Sequence, residues 1–145
     1  NEKLIIVGSF EQSTHMKNYV YFLNKIKPSN VEILSGVDFS DLVKLYANCK
    51  GFITTSLDED FGITPVEAMA SGKPVIAANE GGYKETVVDE VTGRLIDDIN
   101  PDKLAKAIKE VGKNPKSYKS ACLKQAKKFD VTIFVKKINE QLDND

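Results

Sequence analysis

Apolar residues in this chain fall into short unbroken runs that alternate with longer stretches of mixed polarity. Leu4-Ile5-Ile6-Val7, closed by Gly8, is a β-branched run of the kind that forms a buried parallel strand. Tyr19, Val20, Phe22, Leu23 and Ile26 then recur at helical spacing behind Ser13 or Thr14 as a cap, and Pro28-Ser29-Asn30 ends that helix. Val31 to Leu34 is a second strand. Ser40 is placed to cap a helix with Leu42, Leu45 and Tyr46 on one face. Gly51 to Thr55 and Pro74 to Ala78 are further strands, with a helix between them that starts near Thr64-Pro65. Asn79-Glu80-Gly81-Gly82 turns the chain into a short helix over 83–88. Thr92-Gly93 is a turn before a strand at Arg94-Leu95-Ile96. Pro101 falls where the first residue of a helix is expected, with Leu104, Ala107, Ile108 and Val111 as its stripe. Asn114-Pro115 separates it from a Lys-rich helix, and Val131 to Leu142 forms the last one. Strands alternating with helices predict an α/β domain, a Rossmann-like parallel sheet with helices on both faces. Ligands in such folds bind at the carboxyl ends of the strands, so the loops after Gly8, Ser35, Thr55 and Ala78 are the places for chemistry.

Composition adds bounds to this pattern. The 145 residues suit a single domain over 1–145, and 41% hydrophobic with 28% charged residues is ordinary for a globular chain. A formal net charge of −1 gives no global pull toward nucleic acid. Cys49 and Cys122 have neither CxxC nor Cys/His spacing, so neither a disulfide framework nor a metal site is expected, and a cytoplasmic location is the default. No apolar run approaches the roughly 18 residues of a membrane span. From Lys113 to Lys137 there are eight lysines against one acid, Asp130. Solvated outer faces are favoured there over a basic helix lying on anionic lipid, although a peripheral contact with the cytoplasmic face of a membrane is kept open. The chain starts at Asn1 and enters a strand almost at once, as expected of a piece of a longer protein.

The stretch Thr54 to Ala78 carries the densest signal. Thr64-Pro65-Val66-Glu67 has two marks of a helix start, Pro at the first helical position and a Thr-x-x-Glu capping box. The amides from Phe61 through Gly62 and Ile63 to Thr64 would point at an anion, and Gly62 would let it approach the backbone. A carboxylate in the same place accepts hydrogen bonds from a vicinal diol such as a ribose. Glu67 has a plain alternative as the capping-box acid, and Glu59 as part of a solvated acidic loop, Asp58-Glu59-Asp60. His15, near a helix start, is expected to be exposed or capping. A glycosidase pair needs two carboxyls roughly 5–10 Å apart, which spacing does not forbid, but an acid at a helix N-terminus tends to stay ionised. P-loop, GxGxxG and GxSxG patterns are absent, which argues against NTPase, dehydrogenase and α/β-hydrolase readings.

Glu59-Asp60-Phe61-Gly62-Ile63-Thr64-Pro65-Val66-Glu67-Ala68-Met69-Ala70 resembles the Glu-x7-Glu signature of retaining glycosyltransferases with the GT-B fold, family 4, also called group 1 transferases. The flanks agree: Gly36-Val37, Gly72-Lys73-Pro74-Val75-Ile76-Ala77, Gly81-Gly82 with Glu85, and Thr92 to Ile96. The resemblance runs from about Leu4 to Ile96 and more loosely to the end of the chain. It implies a C-terminal donor-binding domain that takes a GDP- or UDP-sugar, needs no cofactor or metal, and hands a hexose to a glycan, polysaccharide or lipid acceptor. Mannose is slightly favoured as that hexose. By this resemblance Glu67 binds the ribose, Glu59 meets the transferred sugar, Phe61, Gly62, Ile63 and Thr64 hold sugar and diphosphate, and Gly36 and Val37 meet the base. The family's Arg/Lys pair, which precedes a strand like Leu4–Val7, has no counterpart here, and its N-terminal acceptor domain is missing. The 145-residue piece is therefore expected to bind nucleotide weakly without turnover. Other readings are a non-catalytic nucleotide-sugar-binding module and a glycosidase or phosphorylase-like enzyme.

Overall fold

The computed structural model describes residues 2–10 and 13–142. The chain divides into two compact units, one running up to Lys44 and one from Leu45 onward.

In the first unit, β1 (Leu4–Gly8) and β2 (Val31–Ser35) pair in parallel, with Leu4 opposite Val31 and Val7 opposite Leu34. They are joined by α1 (Thr14–Ile26). Ser13 caps α1, its hydroxyl accepting from the Met16 amide, as its position in the sequence suggested. His15 is exposed. The burial expected of β1 is not met. Its residues Leu4 to Val7 stay 36–40% exposed, and α1 buries none of its side chains. A two-stranded ribbon with one crossover helix has too few layers to cover both faces of its strands. α2 (Phe39–Asn48) then carries the chain past Lys44. Its cap is Asp38, which accepts from the Asp41 amide at 2.8 Å, and not Ser40, which lies inside the helix. That bond, with help from Ser40, holds the exposed Asp38 carboxyl below its usual range.

The second unit contains β3 (Phe52–Ile53), β4 (Val75–Ala78) and β5 (Gly93–Ile96), all parallel with β4 in the middle. α3 (Ile63–Ala70) links β3 to β4, and α4 (Tyr83–Thr86) lies between β4 and β5. α5 (Pro101–Gly112), α6 (Lys119–Ala126) and α7 (Val131–Leu142) follow. Alternation along β4 sorts the core into two layers. Val75 and Ala77 face Ala68 and Met69 of α3 and Cys122 of α6, whereas Ile76 faces Ala107 and Val111 of α5. All four β4 residues are at most 4% exposed. The α/β class with parallel strands and helices on both faces is thus realised here. Pro101 occupies the first helical position of α5, with Asn100 as cap accepting from the Lys103 amide. The lysines of α6 point to solvent while Cys122 and Ala126 face the core, in keeping with a solvated outer face. No helix among the described residues is long and apolar enough to cross a membrane.

Candidate functional site

Two loops leave the carboxyl ends of neighbouring strands in the second unit. One runs from Thr54 to Gly62 after β3, the other from Asn79 to Gly82 after β4. They are latched together: the Gly82 amide donates to the Glu59 carbonyl at 2.7 Å, and the Asp58 amide to Glu80 Oε1 at 2.8 Å. A Cβ on Gly81 would run into the Glu59 carbonyl, and one on Gly82 into the Phe61 backbone. The glycine pair is therefore needed for close approach of two backbones. Beneath them Tyr83 is buried at 1% exposure, and its hydroxyl lies 2.8 Å from Thr54 Oγ1.

The start of α3 differs from the capping box drawn from the sequence. Gly62 is the cap residue, with φ +79°, and the helix already runs at Ile63. Thr64 is the second helical residue and makes no capping bond; Pro65 is the third. Glu59 does the capping, its Oε1 accepting from the Gly62 amide at 3.1 Å. Thr64 loses that role because the left-handed turn at Gly62 starts the helix two residues early. The Tyr83 ring would meet a Cβ on Gly62 at 2.9 Å, so both torsion and space demand glycine there. The Gly62 amide, expected to be free for a ligand, is therefore engaged. Pro65 has no amide, which leaves Ile63 and Thr64 to present their N–H groups at the positive end of α3. Both side chains are exposed.

Glu67 lies in the second turn of α3 and is half-buried. Its Oε2 accepts from the Tyr46 hydroxyl at 3.1 Å and not from a cap amide. Burial, the neighbouring Glu67 charge and this hydrogen bond push the Tyr46 hydroxyl above its usual range. Phe61 is 41% exposed and meets Phe129 edge-on, with ring centroids 5.7 Å apart. A groove of about 530 Å³ opens beside it, lined also by Val131, Phe134, Lys128 and Lys137. The two loops themselves carry Asp58, Glu59, Asp60 and Glu80 and no Lys or Arg. Gly36 and Val37 follow β2 in the first unit; Gly36 is exposed with φ +65°, and Val37 is half-buried. No group of three or more potential metal ligands occurs among the described residues.

The arrangement thus pairs a helix N-terminus with a held carboxylate at the carboxyl edge of a parallel sheet. The family model for glycosyl transferases group 1 matches residues 1–129. The chain belongs to that family. Within it, the chain is 34% identical over 111 residues to an uncharacterized glycosyltransferase of Methanocaldococcus jannaschii, covering 77% of this chain and 28% of that protein. It is 39% identical over 100 residues to the alpha-1,3/1,6-mannosyltransferase ALG2 of Dictyostelium discoideum, covering 63% and 23%. Among solved structures, Anabaena HepE in complex with UDP and glucose has TM-score 0.81 at 30% identity, over 97% of this chain and 40% of that one. A sucrose-phosphate synthase from Thermosynechococcus elongatus has TM-score 0.82 at 23% identity and shares the fold, over 98% and 39%. The group 1 chain therefore spans about a quarter to two-fifths of the length of these relatives.

Tyr46, Tyr83 and Glu80 are the site residues that pattern reasoning passed over. Tyr46 was legible as one apolar position of a helix face. A tyrosine on such a face still needs a partner for its hydroxyl, and that was the available signal.

Proposed function

We propose that this chain is the donor-binding part of a retaining, family 4 glycosyltransferase that moves a hexose from a nucleotide sugar to a glycan, polysaccharide or lipid acceptor. The observation that carries the reading is the half-buried Glu67 carboxylate, held on one oxygen and placed on the helix whose N-terminus opens at the sheet edge. A ribose diol supplies two hydroxyl donors to such an acceptor. The Ile63 and Thr64 amides hold the diphosphate and spread the charge that builds on it as the glycosyl bond breaks. Glu59, with one oxygen on Gly62, has its other oxygen for a sugar hydroxyl, and Phe61 and Gly62 line the same turn. HepE, solved with UDP and with UDP-glucose, supports a nucleotide-sugar donor, and the mannosyltransferase relatives support mannose as the hexose.

The absence of any Lys or Arg from the two loops supports weak binding and no turnover by the 145-residue chain, because a diphosphate there needs cations from elsewhere. Calorimetric titration with UDP, GDP and ADP tests the reading. One nucleotide is expected to bind best, and Glu67→Ala to weaken it by at least about tenfold, the loss of a hydrogen bond to a charged group. Equal binding by the wild type and the variant would remove Glu67 from the ribose.

A further inference from the structure

Among the described residues the Tyr46 hydroxyl has one partner, Glu67 Oε2, reached across 21 positions of sequence. The ring has a separate job. It packs on Phe52 of β3 with centroids 5.8 Å apart and lies against the buried cluster that includes Met69 and Val75. A phenylalanine would do that packing equally well, so the hydroxyl is there for the carboxylate. The Glu67 side chain makes no other hydrogen bond among the described residues. No buried side-chain oxygen lacks a partner among them, so the second Glu67 oxygen is open to solvent.

We infer that Tyr46 is a positioning residue, which locks the Glu67 side chain so that its free oxygen is preset to accept from a sugar-ring diol. This rests on the ribose role proposed above for Glu67. The physical basis is the cost of ordering. A glutamate has three rotatable side-chain bonds, and a ligand that must freeze them loses affinity by the entropy involved. With Oε2 tied to a hydroxyl mounted on a packed ring, that ordering is complete before the ligand arrives.

The test uses the 145-residue chain with UDP and with 2′,3′-dideoxy-UDP, which keeps the base and diphosphate but lacks the diol. In Tyr46→Phe, UDP affinity is expected to fall about three- to tenfold, the factor that freezing one such side chain is worth. Affinity for the dideoxy compound is expected to stay within about twofold, which also shows that the variant is folded. In a Glu67→Ala background the Tyr46→Phe change is expected to have no further effect on UDP. Unchanged UDP affinity in Tyr46→Phe overturns the inference. So does an equal loss for both nucleotides, since that marks a purely structural tyrosine. If the wild type binds both nucleotides alike, or binds neither, the ribose role of Glu67 fails and this inference fails with it.

Discussion

β1 in the first unit and β4 in the second are written in nearly the same way, as Leu-Ile-Ile-Val and Val-Ile-Ala-Ala. The first remains more than a third exposed along its length, and the second is buried throughout. The difference is one of neighbours. β4 has a strand on each side, α3 and α6 over one face and α5 over the other. Among the described residues β1 pairs only with β2. An apolar run thus states a capacity for burial; the count of layers around it decides whether burial follows. The candidate site stands on the carboxyl edge of the buried sheet, where the loops have a fixed base.

The largest expected difference between the two strands is energetic. Ile76→Ala should cost about 3 kcal/mol, because the site is fully packed by α5, whereas Ile6→Ala should cost about 1 kcal/mol or less. Urea unfolding midpoints measure both, and equal losses would show that β1 is as well covered as β4. A second contrast lies in two left-handed glycines. Gly62→Ala meets both an unfavourable φ of +79° and the Tyr83 ring, and should lose about 2 kcal/mol along with nucleotide binding at the Ile63 and Thr64 amides. Gly36→Ala meets only the φ of +65°, with no atom within 4 Å of the new methyl, and should lose about 1 kcal/mol. If the two melt alike, crowding by Tyr83 is not what distinguishes the site loop.

The smallest effect is on pH dependence. The Tyr46 hydroxyl is raised in the fold above its ordinary value of 10.0 by burial first and by Glu67 second. The folded state therefore keeps this proton while the unfolded chain releases it. The resulting stability is fully present below pH 10 and is lost as pH rises beyond it. Unfolding free energies measured between about pH 8 and pH 11 should fall less steeply in Tyr46→Phe than in the wild type. Identical slopes would mean that the tyrosine is not buried against the carboxylate.

Helix ends show where sequence reasoning was sufficient and where it was not. Of the two adjacent candidates Ser13 and Thr14, the structure takes Ser13, and Pro101 opens α5 as its position implied, since nothing distant competed at either end. At α2 both Asp38 and Ser40 were good caps by residue type, and only the backbone path chose Asp38. At α3 the Thr-x-x-Glu spacing was a genuine capping-box pattern, yet both ends of it were overridden. The close seat of the Gly81-Gly82 turn and the Tyr83 ring moved the helix start to Gly62, and Tyr46 took the glutamate. Glu59, read as a solvated acid or a sugar contact, turned out to cap Gly62 from three residues away.

What the sequence determined by itself was therefore the alternation of strands and helices, the family and the stretch that holds the candidate site. Those follow from periodicity and from residue types at fixed spacing, which are properties of neighbours along the chain. The tertiary structure alone decided which strand is buried and which amides at α3 are free. It also decided that the two glutamates have different partners. Each of these depends on groups far apart in sequence, Tyr46 with Glu67, Gly82 with Glu59 and Tyr83 under Gly62, and such pairs exist only once the chain is packed.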